Sequence, residues 1–294
     1  MPTKLLAALP EFAPAKVNLT LRVLGRRSDG YHEIESLVVF ADIGDLLTFF
    51  PGRKVELSVK GRTAESAGAT EDNLVLKAAR TLAERIDGLK LGRFELDKQL
   101  PVAAGLGGGS SDAAAALRLL ARHNDLSLDD DRMQAAARAT GADVPVCLDP
   151  RARMMRGIGE ILSDPIELPE LPAVLVNPGV AVPTQDVFAA LAAPALTSPV
   201  QPGDFIAVNA DAASFVSILT ARRNDLEIPA VKIQAVIADV LAALQASPGC
   251  LLARMSGSGA TCFGLYGSAS AADDAAHRVE KSHAGWWVRS TVLR

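Results

Sequence analysis

The chain has 294 residues, of which 49% are hydrophobic and 22% are charged, and its formal net charge is −4. This balance is typical of a soluble globular protein with one large or two moderate domains. The acidic balance gives no support for binding to nucleic acid or to a membrane surface, because both normally need a basic excess.

The cysteines and histidines indicate neither a disulfide framework nor a metal site. The three cysteines, Cys147, Cys250 and Cys262, are far apart, and their apolar neighbours favour buried, inert thiols. The four histidines form no HExxH pair, so no structural metal is expected. The N-terminal stretch is too short and too interrupted for a signal peptide, and no run approaches the roughly 20 apolar residues of a membrane helix. We therefore expect a cytoplasmic protein.

The hydrophobic pattern of the first half predicts strands mixed with helices. In chain order, we predict a strand over residues 17–23, two strands separated by a turn at Gly44 and Asp45, a strand over residues 54–61, a helix over residues 71–87 and a strand over residues 93–102. Helices are predicted to follow over residues 112–122 and 128–140, the second ended by Gly141.

A proline-rich stretch over residues 164–171 marks the predicted domain boundary, which divides the chain into residues 1–165 and 166–294. After a strand, the pattern predicts helices over residues 185–191 and 230–244, strands over 251–255 and 261–266, a helix over 272–282 and a strand over 286–292. Because strands and helices are mixed and hairpin-like strand pairs occur, the predicted fold class is α+β rather than a doubly wound parallel sheet.

A glycine-rich segment joins a predicted strand to a predicted helix, with three consecutive glycines at residues 107–109. Glycines in this setting let the backbone approach an anion, and the free N–H groups of the first helical turn point at it. Walker A and the dinucleotide fingerprint are not met, because no lysine follows the glycines and Ser110 replaces the third glycine. A tight turn or close helix packing stays open as the alternative. Asp112 is expected to favour the helix dipole or to face a cation.

Phosphoryl transfer also needs a group that orients or deprotonates the acceptor and a group that holds developing charge. Asp143 is a candidate because it follows Gly141 and is flanked by apolar residues. Lys16 and Asn18 are candidates because they share one face of a predicted strand. Each has a structural alternative: Asp143 as a turn residue with an Asx hydrogen bond, and the other two on a solvated strand face.

Three segments resemble motifs of the GHMP kinases. PVAAGLGGGSSDAAAAL, residues 101–117, resembles the second motif of this family, and SGSGATCF, residues 256–263, resembles the third. APAKVNLTLRVLGRRSDGYHEIESL, residues 13–37, resembles the N-terminal motif of one branch, in which the run GRRxDGYHE separates that branch from homoserine, mevalonate and galactose kinases. GADVPVC, RGIGE and VPTQDVF also match that branch in order.

The resemblance implies a two-domain GHMP kinase fold, with the active site in the cleft between the domains. The N-terminal ATP-binding domain would resemble domain 2 of ribosomal protein S5, and the C-terminal, substrate-side domain would be a ferredoxin-like α/β sandwich. The implied activity is ATP-dependent phosphorylation, with Mg2+, of the 2-hydroxyl of a cytidine diphosphate ester of methylerythritol in the non-mevalonate pathway to isoprenoids and terpenoids. The implied protein is a monomer or weak homodimer that binds a small molecule and neither nucleic acid nor membrane.

The resemblance also implies roles for individual residues on the ATP side. Asp143 would take the proton from the acceptor hydroxyl, and Lys16 would keep that carboxylate ionised and stabilise developing charge. Asn73 and Lys98 fall where the family contacts adenine or ribose. The ATP phosphates would be bound by the glycine-rich loop: Pro101, Val102, Ala103, Ala104, Gly105, Leu106, Gly107, Gly108, Gly109, Ser110 and Ser111.

On the substrate side, the resemblance implies contacts from Asn18, Tyr31, His32, Thr184 and Phe188. Tyr31 would stack on cytosine, His32 would hydrogen-bond its edge, and Phe188 would close the aromatic sandwich. The third glycine motif comprises Ser256, Gly257, Ser258 and Gly259. From the residues alone, His32 as a surface turn histidine and Tyr31 as a core edge residue stay open.

Two other functions stay open at this point. A non-catalytic nucleotide sensor would keep the phosphate loop, but it has no need to retain both Lys16 and Asp143, which are present. A GHMP kinase with another acceptor, such as homoserine, would carry the same phosphate loop.

Overall fold

A computed structural model of the chain describes residues 8–67, 70–197 and 211–294. Part of the N-terminal stretch considered for a signal peptide, residues 1–7, lies outside the described residues. The strands are β1 (Leu9–Arg26), β2 (His32–Pro51), β3 (Glu56–Lys60), β4 (Gly92–Asp97), β5 (Arg153–Gly157), β6 (Ile161–Leu162), β7 (Leu171–Asn177), β8 (Cys250–Met255), β9 (Cys262–Tyr266) and β10 (Trp287–Leu293). The helices are α1 (Leu74–Ala83), α2 (Gly108–His123), α3 (Asp131–Thr140), α4 (Val144–Leu148), α5 (Thr184–Leu191), α6 (Ala212–Thr220), α7 (Glu227–Ile233), α8 (Val236–Gln245) and α9 (Ala269–Ser282).

The chain divides into two compact units, neither of which is a continuous segment. Unit 1 comprises Met1–Ala15, Ile43–Val102 and Gly107–Pro150, and unit 2 comprises Lys16–Asp42, Ala103–Leu106 and Arg151–Arg294. This division differs from the single boundary predicted near residue 165. The reason is that β1 and β2 are long strands, and each gives one half to unit 1 and the other half to unit 2.

In unit 1, β4 pairs with β3 in parallel and with the second half of β2 in antiparallel. Along β4, buried and half-buried residues alternate, as the two-residue period of a strand requires. Phe49 lies opposite Phe94 in the sheet, and their ring centroids are 5.1 Å apart. Helix α2 packs against α1 and α4, and its alanine-rich face lets these helices approach closely.

The turn predicted at Gly44 and Asp45 is wrong, because β2 runs through both residues without interruption. Gly44 is needed there for a different reason. A Cβ on Gly44 would overlap the carbonyl oxygen of Ala13, so the glycine permits close approach of the backbone of β1. Asp45 is fully buried, so it is an interior residue and not a turn residue.

In unit 2, β10, β7, β9 and β8 follow one another in antiparallel order, and β10 also pairs with the first half of β2. The first half of β2 also pairs with β5, over Ile34 to Val38. Residues from the strands and from α8 and α9 form one apolar core, which includes Val174, Val176, Ile237, Val240 and Val279.

Further predictions differ from the structure. The strand predicted over residues 93–102 ends at Asp97, and the helix predicted over residues 71–87 is the shorter α1. The helix predicted over residues 230–244 is two helices, because Gln234 adopts an extended conformation between α7 and α8. Helix α2 begins at Gly108, four residues earlier than predicted, so the glycine run itself starts the helix. The strand predicted as half-buried over residues 17–23 lies in β1, whose residues from Ala13 to Leu21 are all buried, because both faces are covered.

Two further expectations from the sequence concern membrane-spanning helices and the cysteine thiols. Across the described ranges, none of the helices combines the length and the apolar character that a bilayer span requires. The three cysteines are free thiols; Cys147 and Cys262 are buried, and Cys250 is half-buried. Burial raises the pKa of the thiols of Cys250 and Cys262, which agrees with the prediction of inert thiols.

Candidate active site

The glycine-rich loop ends in the first turn of α2, a helix of 16 residues. Gly107 is the N-cap residue, and its φ of 60° lies in the left-handed region that favours glycine. No side chain caps this helix. The N–H groups of the first turn therefore have no capping side-chain partner, and they are the donors that an anion would use.

Packing does not require glycine at the next two positions. A Cβ on Gly108 would lie 3.4 Å from the Lys98 Nζ, and a Cβ on Gly109 would lie 3.5 Å from the Leu74 Cδ1. Both distances are ordinary van der Waals contacts. Close helix packing, the alternative interpretation of the glycines, therefore does not account for these two residues. Gly109 is exposed, so the absence of a side chain there leaves space for a ligand.

Gly105 has a different role, because the second and third glycine motifs meet there within unit 2. The Ser256 hydroxyl donates to the Gly105 carbonyl at 2.9 Å, and the Thr261 N–H donates to the Ala104 carbonyl at 3.1 Å. A Cβ on Gly105 would overlap the carbonyl oxygen of Ser256. At this position packing does require glycine, since the backbones of the two motifs touch.

Asn224 holds the third glycine motif, and sequence reasoning missed it. Its side-chain amide donates to the carbonyls of Met255 and Gly257, both at 2.8 Å, and its oxygen accepts from the Leu226 N–H at 3.0 Å. The residue is buried. Its sequence context, RND between two helices, carries only a turn signal, because the amide's partners are 31 and 33 residues away.

Replacing Asn224 with alanine is expected to lower the free energy of unfolding by about 1–3 kcal/mol, because two buried carbonyls and one N–H lose their partner. The Michaelis constant for ATP, the substrate that the resemblance implies, should rise as the motif loosens. Urea unfolding and initial rates measure the two effects. Gln234→Ala is the control, because that amide makes one long exposed hydrogen bond of 3.4 Å. An equal loss of stability in both variants would contradict the assigned role.

Lys16 and Asn18 lie in a chain of buried hydrogen bonds in unit 2. The Lys16 ammonium donates to the Asn18 Oδ1 at 2.9 Å, the Asn18 amide donates to the Ser36 hydroxyl at 2.7 Å, and that hydroxyl donates to the Thr20 carbonyl at 2.6 Å. Lys16 is 4% exposed and Asn18 is 1% exposed. The solvated-face alternative is therefore wrong for both. The predicted sharing of one face is confirmed, and Asn18 orients the lysine.

Asp143 is the N-cap residue of the short helix α4, and it is half-buried. Its carboxylate accepts no capping hydrogen bond from this helix. The turn role with an Asx hydrogen bond therefore stays open for Asp143, although this side chain does not cap α4. Asp143 belongs to unit 1 and Lys16 to unit 2, so their pairing stays a prediction.

The residues predicted to contact cytosine lie near one another in unit 2. The rings of His32 and Phe188 are stacked, with centroids 4.7 Å apart and an interplanar angle of 24°. Burial and Arg26 lower the pKa of His32, so its imidazole favours the neutral form that can both donate and accept. Tyr31 is 60% exposed, so it is not a core edge residue. In this structure Phe188 stacks on His32, whereas the prediction has it stacking on a base opposite Tyr31.

Thr184 is the remaining residue predicted on the substrate side. It is the first residue of α5, and its hydroxyl lies 2.8 Å from the hydroxyl of Ser258. The predicted substrate-side helix and the third glycine motif are therefore in direct contact within unit 2.

Asn73 and Lys98 are occupied by partners within unit 1. The Asn73 Oδ1 accepts from the Val75 N–H at 2.9 Å and caps α1. The Lys98 ammonium donates to Asp45 at 2.5 Å and to Asp112 at 2.7 Å. Asp112 therefore faces a cation, which was one of the two roles expected for it from the sequence. Contact of Asn73 and Lys98 with adenine or ribose stays a prediction, and the buried ammonium of Lys98 gives it no support.

Known proteins match this chain along nearly its whole length. Residues 73–149 match the N-terminal domain of GHMP kinases, and residues 206–285 match the C-terminal domain. The chain is 56% identical over 300 residues to a 4-diphosphocytidyl-2-C-methyl-D-erythritol kinase of a Bradyrhizobium species, covering 98% of this chain and 97% of that protein. It is 56% identical over 292 residues to a protein of the same name from Methylorubrum extorquens, covering 98% of this chain and all of the relative.

Solved structures agree with these matches. A crystal structure of 4-(cytidine 5'-diphospho)-2C-methyl-D-erythritol kinase has a TM-score of 0.76 and 33% identity, and covers 97% of this chain and 99% of that one. A homoserine kinase from Cytophaga hutchinsonii has a TM-score of 0.68 at 19% identity, covers 99% of this chain and 96% of that one, and supports the fold alone.

The two matching domains make this enzyme a GHMP kinase, and the predicted α+β GHMP kinase fold and kinase class are confirmed. As a kinase of this class, it uses ATP as the phosphate donor. The identity to relatives of one name is far above that to a homoserine kinase. The chain therefore belongs to the family of 4-diphosphocytidyl-2-C-methyl-D-erythritol kinases.

Proposed function

We propose that this enzyme transfers the γ-phosphoryl group of ATP to the 2-hydroxyl of 4-diphosphocytidyl-2-C-methyl-D-erythritol, in the non-mevalonate pathway of isoprenoid and terpenoid biosynthesis. The identity to relatives that carry this substrate in their name supports the choice of acceptor. The observation on which the chemistry rests is the start of α2, which has glycines and no capping side chain.

On the donor side, the first turn of α2 supplies backbone N–H groups to the ATP phosphates, and the exposed Gly109 leaves room for them. The support is that this glycine is not explained by packing, whereas Gly105 is. Such a loop supplies dipoles but no full positive charge. The cation that stabilises the transferring group must therefore come from elsewhere, and Lys16 is the proposed residue.

On the acceptor side, Asp143 accepts the proton of the 2-hydroxyl while the oxygen of that hydroxyl forms a bond to the γ-phosphorus. The bond between that phosphorus and the β–γ bridging oxygen breaks, and ADP leaves. Asn18 fixes the Lys16 ammonium through the hydrogen bond of 2.9 Å. His32, Tyr31 and Phe188 bind the cytosine ring, for which the exposed phenol and the stacked ring pair are suitable surfaces.

Mg2+ is part of the proposal as the metal that ATP carries. Among the described residues, no cluster of three or more histidine, cysteine, aspartate or glutamate side chains is arranged to hold a metal. Mg2+ does not need such a cage, because it is usually bound by substrate phosphates, waters and one or two carboxylates. Its chemistry when bound is neutralisation of phosphate charge.

We also propose that the enzyme is cytoplasmic and has no nucleic-acid or membrane partner. Three free thiols agree with a reducing cytoplasm, and the net charge of −4 agrees with the absence of nucleic-acid and membrane partners. The proposed assembly is a monomer or weak homodimer, which sedimentation at several protein concentrations tests directly.

A coupled assay of ADP release tests the proposed activity against both alternatives. We expect turnover with 4-diphosphocytidyl-2-C-methyl-D-erythritol and none with homoserine, mevalonate or galactose. Turnover of homoserine instead would make the enzyme a GHMP kinase with another acceptor. Binding of ATP without turnover of any alcohol would favour the nucleotide sensor.

A further inference from the structure

Three buried charged residues of unit 1 lie at the base of the glycine-rich loop. Lys98 follows β4 and lies three residues before Pro101, where the loop begins. Asp112 is the fifth residue of α2, and Asp45 lies in the second half of β2. The Lys98 ammonium is 2.5 Å from the Asp45 Oδ2 and 2.7 Å from the Asp112 Oδ2. The side chains of Lys98, Asp45 and Asp112 are 5%, 0% and 2% exposed. We refer to these three residues as the triad.

The triad holds both ends of the loop. The Asp45 Oδ1 accepts from the N–H groups of Gln99 at 2.6 Å and Leu100 at 2.9 Å, which are the two residues immediately before the loop. At the other end, Lys98 holds Asp112 in α2. A Cβ on Gly108 would lie 3.4 Å from the Lys98 Nζ, so the ammonium lies directly beneath the first residue of that helix.

The three members do not have equal numbers of partners. Asp45 accepts from the ammonium and from two N–H groups, so its carboxylate is stabilised by three donors. Asp112 accepts from the ammonium alone, and its Oδ1 is buried with no hydrogen-bond partner among the described residues. One ammonium cannot neutralise two buried carboxylates. A negative charge is therefore less stable on Asp112 than on Asp45, which has more donors.

The electrostatics of Asp112 agree with this difference. Burial raises the pKa of Asp112 to about 8, with Lys98 opposing the shift and Asp45 adding to it. Lys98 and Asp45 are the charged groups that act on this carboxyl. Asp112 is therefore largely protonated at neutral pH, and it gains charge as the pH rises through about 8.

We propose that the triad positions the phosphate loop, with Asp45 and Lys98 as its charged part and Asp112 as a neutral hydrogen-bond partner in the working enzyme. In this proposal the pairing of Lys98 with Asp45 and Asp112 replaces the adenine or ribose contact that the resemblance implies for it. None of the three then touches substrate, so they are positioning residues. The proposal rests on the proposed binding of ATP phosphates by the loop. Above pH 8, a second buried negative charge beneath Gly108 would oppose the binding of ATP phosphates.

Three variants of the full chain test this proposal, with the Michaelis constants for ATP and acceptor measured from pH 6.5 to 9.5. Asp45→Asn is expected to raise the Michaelis constant for ATP at least about tenfold and to change the constant for the acceptor by less than about twofold. The reason is that the two N–H groups just before the loop lose a charged acceptor. Asp112→Asn keeps the acceptor oxygen for Lys98, so the constant for ATP at pH 7 should change by less than about threefold. Asp112→Leu removes that oxygen and should resemble Asp45→Asn.

The pH profile separates positioning from general stability. In the unaltered enzyme the Michaelis constant for ATP should rise as the pH passes through about 8, and in Asp112→Asn this rise should disappear. Asp97→Asn is the matched control, since that neighbouring carboxylate accepts an exposed hydrogen bond from Gln99 and lies outside the triad. An unchanged pH profile in Asp112→Asn, or equal effects of Asp112→Asn and Asp112→Leu, would overturn the proposal even if Asp45→Asn fails to fold.

Gly109→Val distinguishes failure of this proposal from failure of the proposed function. Its side chain would project at an exposed position of the loop, 3.5 Å from Leu74. If this variant loses ATP binding while the triad variants do not, the loop binds ATP and the triad does not position it. If this variant binds ATP normally, the loop is not the phosphate site, and the proposed function fails independently of the triad.

Discussion

Replacing Asp143 with asparagine is expected to lower turnover by about 10²–10⁴-fold and to leave ATP binding nearly intact. Asparagine has nearly the same shape but cannot accept the proton of the acceptor hydroxyl. The residue makes no capping hydrogen bond to α4, so its replacement removes no helix cap. Initial rates of ADP release and calorimetric titration with ATP measure the two quantities separately.

Asp87→Asn is the matched control for this variant. This substitution removes the same charge from another residue of unit 1, but Asp87 lies exposed in the turn after α1. It should keep its turnover. Near-normal turnover in Asp143→Asn would exclude Asp143 as the base, and a parallel loss of stability in urea would assign the residue a structural role instead.

Replacing Gly105 with alanine is expected to lower the free energy of unfolding by about 2–4 kcal/mol and to raise the Michaelis constant for ATP. Two effects add. The φ of +75° is strained for any residue with a Cβ, and this Cβ would overlap the Ser256 carbonyl oxygen where the two glycine motifs meet. Because backbone atoms are on both sides of the overlap, no side chain can move to relieve it.

Gly179→Ala separates the two effects. Gly179 belongs to the same unit and has a φ of +78°, but a Cβ there would meet no atom within 4 Å. It should therefore show the backbone strain alone, about 1 kcal/mol, with normal ATP kinetics. If the two variants lose equal stability, the contact between the glycine motifs contributes nothing beyond the dihedral strain.

Local patterns predicted most of the secondary structure. The period of two identified β9 and β10 to within a residue or so, and the helix-forming residues identified α9, because these signals are complete within each segment. The turn at Gly44 failed for a tertiary reason. Glycine followed by aspartate is a turn signal, but here the glycine makes room for Ala13 and the aspartate meets Lys98. Neither partner can be identified from the local sequence.

The same limit applies to the candidate site. The shared face of Lys16 and Asn18 was predictable because residues two apart in a strand point to the same side. The Asn18 N–H also donates to the Ser256 hydroxyl, 238 residues away, and that contact required the fold. The triad was missed because its members look like a turn residue, a nucleotide contact and a helix-dipole residue when each is considered alone. Their common feature is burial together, which only packing reveals.

The interleaved course of the chain has a consequence for folding during synthesis. Every segment of unit 1 ends before residue 151, so this unit can complete its contacts as soon as that part of the chain leaves the ribosome. Unit 2 cannot. Val38 pairs with Arg153, and Ala41 pairs with Leu293, so the first half of β2 must wait for strands made much later. The two units are therefore completed in sequence, and the early strand edge of unit 2 is the part of the nascent chain that most needs protection from aggregation.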